Sequence, residues 1–261
     1  MLPAASAATK TRASLLALAI CDALGQACGV RAPRDIPARI TTLECNEIFY
    51  LPPGTWTDDT AMALCLADSL CSLPGSFSDE DQAHRYVHWF QDGYLSATGR
   101  CFKIGSSTRV ALEIWRGDGG LPQVRHSLDE EWRYWNGCLM KVLLVAFTLW
   151  MMEGGGEADE VAMGELAARS SVVTHPHKFC QEACRVYVSL VRMLRAADRE
   201  EALAKDTCYQ FTGGGRGRPH SCERCLRWAS LCARMRPKLK AWLCGAHARG
   251  RAVGLFWHAP R

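Results

Sequence analysis

The chain has 261 residues, 48% of them apolar, with 31 Lys+Arg against 27 Asp+Glu. That length and composition suit a soluble globular protein with one sizeable core and exclude collagen-like, heptad-repeat and globally disordered chains. The net charge of +4 hides a division, because residues 213–261 carry 11 basic side chains and the lone acid Glu223, whereas residues 1–212 carry 20 basic and 26 acidic ones.

Read in chain order, the body predicts helix after helix. Lys10 and Arg12 precede the apolar run Ser14–Cys21, which looks like a short leader. However, Ile20 is bulky where a cleavage site wants a small residue, and the helical pattern continues through Asp22, so residues 13–26 are expected to form a first helix. Thr57-Asp58-Asp59 precedes Met62, Cys65, Leu66 and Leu70, whose spacing marks one buried helical face. Ser78-Asp79-Glu80-Asp81 reads as a capping box before Ala83, Tyr86, Val87 and Phe90. A shorter helix is expected over Arg109–Trp115, ended by Gly117, and Ser127-Leu128-Asp129-Glu130 reads as another start. Both acidic clusters, 79–81 and 129–131, read as solvated helix starts. Leu139–Met152 is apolar nearly all round and predicts a central buried helix ending at Gly154-Gly155-Gly156. Val161–Ser170 and Phe179–Ala197 complete the set. Alternating patterns are almost absent and no repeat is visible, so the expected class is all-α, a compact multi-helix bundle over 1–212.

The 14 cysteines do not mark a disulfide scaffold. Several, such as Cys65, Cys71, Cys180 and Cys184, sit within apolar helical patterns where Cys acts as a small hydrophobe, which points to reduced thiols and a cytoplasmic setting. The longest apolar run, 139–152, falls short of the roughly 20 residues of a membrane span. A monomer away from membranes is expected.

The chemistry concentrates in Gly54-Thr55-Trp56-Thr57-Asp58-Asp59-Thr60-Ala61-Met62. A hydroxyl and two adjacent carboxylates offer three hard oxygen donors, which suit Mg²⁺ or Mn²⁺. The same pair at a helix start can simply cap it and complement its dipole, so the residues alone leave both readings open.

Five words in order extend this reading: Cys21-Asp22-Ala23-Leu24-Gly25, Trp56–Met62, Gly99–Arg109, Asn136-Gly137-Cys138-Leu139-Met140-Lys141 and Thr174-His175. Together they resemble the ADP-ribosylglycohydrolase family, which includes the dinitrogenase reductase-activating glycohydrolase. The resemblance implies an all-α hydrolase that cleaves the glycosidic bond between ADP-ribose and a modified side chain or other leaving group. The partner would be an ADP-ribosylated protein or an ADP-ribose-containing small molecule. It implies a binuclear Mg²⁺ site, Mn²⁺ in some members. Carried over by position, Thr57, Asp58 and Asp59 are metal ligands, and Asp58 and Asp59 are also the catalytic residues. Asn136, Gly137 and Cys138 lie on the ADP-ribose-binding loop, where a Gly-containing turn entering a helix suits a diphosphate. Gly105 and Ser106 flank the same cleft, and His175 lines the ribose side, unless it is a satisfied histidine at a helix start. Asp22 reads as structural.

The chain departs from the family pattern in three places. Cys21 replaces Gly, and Lys103 replaces an Asp that faces the site. The family also completes its metal site with a C-terminal Gly-x-Asp-x-Asp-Thr word, whereas residues 213–261 contain no Asp. Three ligands suit one ion or none, so a metal-free ADP-ribose-binding protein is the alternative. The basic, Cys-containing tail 213–261 admits a zinc knuckle begun by Cys222-x-x-Cys225 or a nucleic-acid arm. An out-of-frame C-terminus accounts for more of its composition and predicts a poorly ordered tail.

Overall fold

The apolar spacings resolve into helices packed on one another in a computed structural model that describes residues 7–28, 40–73, 76–129, 135–152 and 160–196. In order these are α1 (Ala7–Gly25), α2 (Asp58–Ser72), α3 (Asp79–Asp92), α4 (Ser106–Arg116), α5 (Gly120–Leu128), a 3-10 turn (Asn136–Cys138), α6 (Leu139–Val142), α7 (Val145–Met152), α8 (Glu160–Val172) and α9 (Lys178–Ala196). Among the described residues the β structure amounts to one isolated bridge, Asn46 with Leu51. The fold is all-α, as the sequence predicts. The tail 213–261, with its Cys222–Cys225 pair and its expected disorder, lies outside the described residues, as does the Gly154–Gly156 stop.

The helix starts follow local chemistry. The Ser78 hydroxyl accepts from the Asp81 amide at 3.1 Å and opens α3. Gly93 closes it in the left-handed region at φ +72°. A Cβ on Gly93 would sit 2.2 Å from the Gly99 carbonyl carbon, so the α3–α4 connection folds back on a position open only to glycine.

The core is centred where α2 packs on α3 and α6, and α6 on α9. Met62, Cys65 and Leu66 of α2, Tyr86 and Trp89 of α3, Leu112 of α4 and Cys180 and Cys184 of α9 are all buried. Each large apolar side chain so removed from water contributes about 1.5–3 kcal/mol. Polar ties fix the register between layers: Trp115 Nε1 donates to the Val173 carbonyl at 3.0 Å, and Gln82 Nε2 donates to that of Ser170 at 3.1 Å. Among the described residues no helix is long and apolar enough to cross a membrane.

Several local expectations need correction. The run 139–152 is divided into α6 and α7 at Leu143-Leu144, where the amides of Phe147 and Thr148 both take the Leu144 carbonyl. Leu143 keeps helical dihedrals, so the division is a gap in the hydrogen-bond ladder without a bend marked by Gly or Pro. Ser127 and Leu128 end a helix instead of starting one. That helix, α5, opens with Gly120-Leu121-Pro122, and Pro is tolerated in a first turn because its missing N–H had no partner to lose. The buried face of α3 is Gln82, Ala83, Tyr86 and Trp89, with Val87 and Phe90 half-buried. Asp79 is not simply solvated, since it accepts from Arg169 Nε at 3.0 Å. Cys71 is exposed, whereas Cys65, Cys180 and Cys184 are buried.

Candidate active site

Asp22, at the end of α1, organises the start of α2. Its Oδ1 accepts from Thr57 Oγ1 at 2.6 Å, and its Oδ2 accepts from the Thr57 amide (2.8 Å), the Thr60 amide (3.1 Å) and Thr60 Oγ1 (2.7 Å). Thr57 is the N-cap residue of α2 but makes no side-chain cap bond, because the carboxylate from α1 does the capping. The Thr57 hydroxyl spends its proton on Asp22 and keeps its lone pairs. Thr60 as the second anchor was not found from sequence. Its hydroxyl lies one turn on from Thr57, and only tertiary structure brings Asp22 there.

Asp58 and Asp59 follow, both half-buried at the helix mouth. Burial pushes the Asp58 carboxyl up to about 7, opposed by the nearby Lys103 ammonium and reinforced by the Asp22 charge. Burial also holds Asp59 well above the usual carboxylate range, aided by Asp58 and Asp22 and countered by Lys103. The crowding of three carboxyl groups beside one ammonium thus favours the protonated form of Asp58 and Asp59 in the absence of a bound cation. Two carboxylates and a hydroxyl with free lone pairs fit a single, largely hydrated hard cation. Among the described residues no group of three or more His, Cys, Asp or Glu side chains could hold a metal ion by themselves.

Lys103 lies on the α3–α4 connection, half-buried, at φ +57°. A left-handed non-glycine residue costs about 1–2 kcal/mol and persists only where its surroundings hold it. Trp56 Nε1 reaches the same connection, donating to the Leu95 carbonyl at 3.4 Å.

The second half of the site comes from the 3-10 turn and the α8–α9 connection. Asn136 and Gly137 are half-buried, and His175 is buried. A Cβ on Gly137 would lie 3.0 Å from His175 Cε1, 3.1 Å from Nε2 and 3.7 Å from Thr108 Oγ1, so the imidazole rests against the glycine. Lys141 Nζ donates to Thr174 Oγ1 at 2.5 Å, and Thr174 Oγ1 lies 2.9 Å from His175 Nδ1. An ammonium can only donate, so the hydroxyl accepts from it and stands within hydrogen-bond reach of the imidazole. Gly105 and Ser106 are exposed at the start of α4, and a Cβ on Gly105 would be 3.9 Å from Thr108 Oγ1. Thr108 thus stands between the α4 start and the turn, a role no local pattern announced.

Cys138 has its backbone on the turn, but its side chain is buried toward α9, with the thiol 3.9 Å from the Cys180 carbonyl. Burial opposes ionisation of this thiol. Hydrogen bonds with Cys180 and Cys184, together with the positive charges of His175 and Lys141, outweigh that and hold it well below the ordinary thiol range. The two halves of the site sense one another electrostatically. Burial lowers the Lys141 ammonium to about 8, while Asp58 is among the groups that raise it.

The sequence model of the ADP-ribosylglycohydrolase family matches residues 3–259. The chain is 33% identical over 196 residues to an ADP-ribosylarginine hydrolase Tri1 from Pseudomonas putida (strain GB-1), covering 75% of this chain and 49% of that protein. It is 40% identical over 113 residues to the protein of the same name from Serratia proteamaculans (strain 568), covering 43% and 30%. This chain therefore spans about half the length of the first relative and less of the second. Among solved structures, a chain of an ADP-ribosylglycohydrolase-related protein complex matches with a TM-score of 0.55 and 30% identity, over 78% of this chain and 62% of that one. With the family model running almost end to end and the helical fold shared, the chain belongs to the ADP-ribosylglycohydrolase family.

Proposed function

We propose that the chain binds ADP-ribose between the α2 mouth and the Asn136–Cys138 turn, and hydrolyses the N-glycosidic bond that joins ADP-ribose to an arginine side chain. The observation that carries this reading is the four-bond grip of Asp22 on Thr57 and Thr60. It fixes a hydroxyl and two acids at one mouth, within electrostatic reach of the Lys141–Thr174–His175 chain. The names of the two curated relatives support arginine as the leaving group.

In this reading the residues divide the work. The Gly137 backbone and the Gly105-Ser106 helix start accept the diphosphate, and His175 lines the sugar side. One of the Asp58 and Asp59 carboxylates takes a proton from water as its oxygen bonds to the anomeric carbon. The carbon–nitrogen bond breaks with its electron pair on nitrogen, and the guanidine departs with the proton that the carboxylate took from water, giving ADP-ribose and unmodified arginine. Thr57, Asp58 and Asp59 would hold Mg²⁺ or Mn²⁺, which supplies charge neutralisation and a hold on sugar hydroxyls. The nine cysteines that stand as free thiols among the described residues suit a reducing cytoplasm.

A second reading, ADP-ribose binding without turnover, draws support from the Lys103 ammonium beside the acids. The deciding experiment follows release of ADP-ribose from an ADP-ribosylated arginine peptide by mass spectrometry, with Mg²⁺ or EDTA. The hydrolase reading expects metal-dependent release that Asp58→Asn and Asp59→Asn each reduce by about a hundredfold or more. Calorimetric ADP-ribose binding that EDTA leaves unchanged, with no release, would decide for the binding protein.

A further inference from the structure

Lys141 of α6 carries an ammonium into the interior. The residue is 1% exposed, its Nζ donates to Thr174 Oγ1 at 2.5 Å, and the centre of the Tyr86 ring lies 4.8 Å away. Among the described residues no carboxylate forms an ion pair with it. A hydroxyl and a ring face offset only part of the cost of taking an ammonium out of water. An apolar side chain of the same length would pack there at lower cost, so stability does not account for the charge. What the ammonium holds is Thr174, whose Oγ1 also stands 2.9 Å from His175 Nδ1. The His175 backbone is fixed separately: its amide donates to the Ser171 carbonyl at 2.7 Å, and its own carbonyl accepts from Ser171 Oγ at 3.0 Å. Gly137 takes one side of the ring, where a Cβ would lie 3.0 Å from Cε1.

We propose that Lys141 is a positioning residue for the nucleotide-sugar site: its ammonium holds the Thr174 hydroxyl, and that hydroxyl holds the His175 imidazole against Gly137. The proposal rests on the reading that His175 lines the sugar side. The Ser171 bonds fix the His175 backbone but leave its ring torsions free, and a hydroxyl with no other partner would rotate about its own bond. Once the ammonium engages one of its lone pairs, that rotation is restricted and the ring meets a polar partner in a set place. Lys141 is too deeply buried to touch the sugar or the diphosphate. It acts through Thr174, and Thr174 acts through His175.

The test combines ADP-ribose calorimetry with ring-nitrogen NMR of the full chain containing isotope-labelled histidine, His175 being assigned by its loss in His175→Ala. Lys141→Met and Thr174→Val are each expected to move the His175 signals and to weaken ADP-ribose binding about tenfold. Thr174→Ser, which keeps the hydroxyl, should retain both. The double variant should bind no more weakly than either single one, because both remove the same link. Lys141→Met should also melt no earlier than wild type at pH 7, which separates positioning from support of the fold. Unmoved His175 signals in Lys141→Met and Thr174→Val overturn the proposal, as does a Thr174→Ser that loses as much affinity as Thr174→Val. Failure of Lys141→Met to fold gives the ammonium a structural role and overturns it too. If the signals move as expected but wild type binds no ADP-ribose, the positioning of the ring stands and the nucleotide reading falls. Intact ADP-ribose binding with unmoved signals does the reverse.

Discussion

Asp22 is the residue on which most of the site depends. Its carboxylate satisfies two backbone amides and two hydroxyls at the first turn of α2. Asp22→Ala would leave those donors buried without an acceptor, and an expected loss of about 3–5 kcal/mol follows, measured by urea unfolding. Lys141 acts in the opposite direction. Its ammonium is buried between Thr174 and the Tyr86 ring, 4.8 Å from the ring centre. It titrates near 8 in the folded protein against an ordinary 10.5. Between those values the unfolded chain holds the extra proton, so stability due to Lys141 rises with pH across that window. The stability of wild type relative to Lys141→Met should therefore increase by about 3 kcal/mol from pH 7 to pH 11. A flat difference across parallel denaturation curves would show that the ammonium is better solvated than its position implies. At Gly137 the issue is space. Gly137→Ala forces a methyl group to within about 3 Å of the His175 ring, with an expected cost of about 1–3 kcal/mol and weaker ADP-ribose binding by calorimetry. His175→Ala in the same chain should restore stability but not binding, because the clash and the sugar contact are separate properties of one ring.

At the scale of elements, the layers are joined by a few side-chain donors reaching backbone carbonyls. Trp115→Phe keeps most of the ring but leaves the Val173 carbonyl without its donor. A loss of about 1–3 kcal/mol is expected in thermal or urea unfolding, with no direct effect on the α2 mouth. The helices that sequence made legible are those whose caps and apolar faces agree: α2 and α3 begin at Thr57 and Ser78, where hydroxyls and acids mark the start. Helix α5 was not among the expected elements, because Gly119-Gly120 and Pro122 carry no hydroxyl or acid to mark a start, although a cap and first turn accommodate them. The division between α6 and α7 was missed because Leu143-Leu144 carries no breaking residue, and its cause lies in hydrogen-bond geometry that composition does not encode. The twin acids and the Asn136–Lys141 word were legible as local strings. Thr60, Thr108 and the Thr174 relay were not, since each gains its role from a partner tens of residues away.

Over the whole molecule, the candidate site is assembled from residue 22 at the end of α1 to residue 175 before α9, with contributions from α2, the α3–α4 connection, α4 and the 3-10 turn. The buried core of α2, α3, α6 and α9 lies beneath these parts and holds them at fixed separation, so the chemistry depends on packing as much as on the acids themselves. The family membership and the helical fold are established by the comparisons, while the chain spans about half of the first relative's length. Whether this span is enough for a nucleotide-sugar site is answered most directly by hydrogen–deuterium exchange of the full chain with and without ADP-ribose. The account predicts added protection in two separate stretches, one around Thr57–Met62 and one around Asn136–Lys141, with α5 unchanged. Protection confined to one stretch, or found in neither, would contradict it.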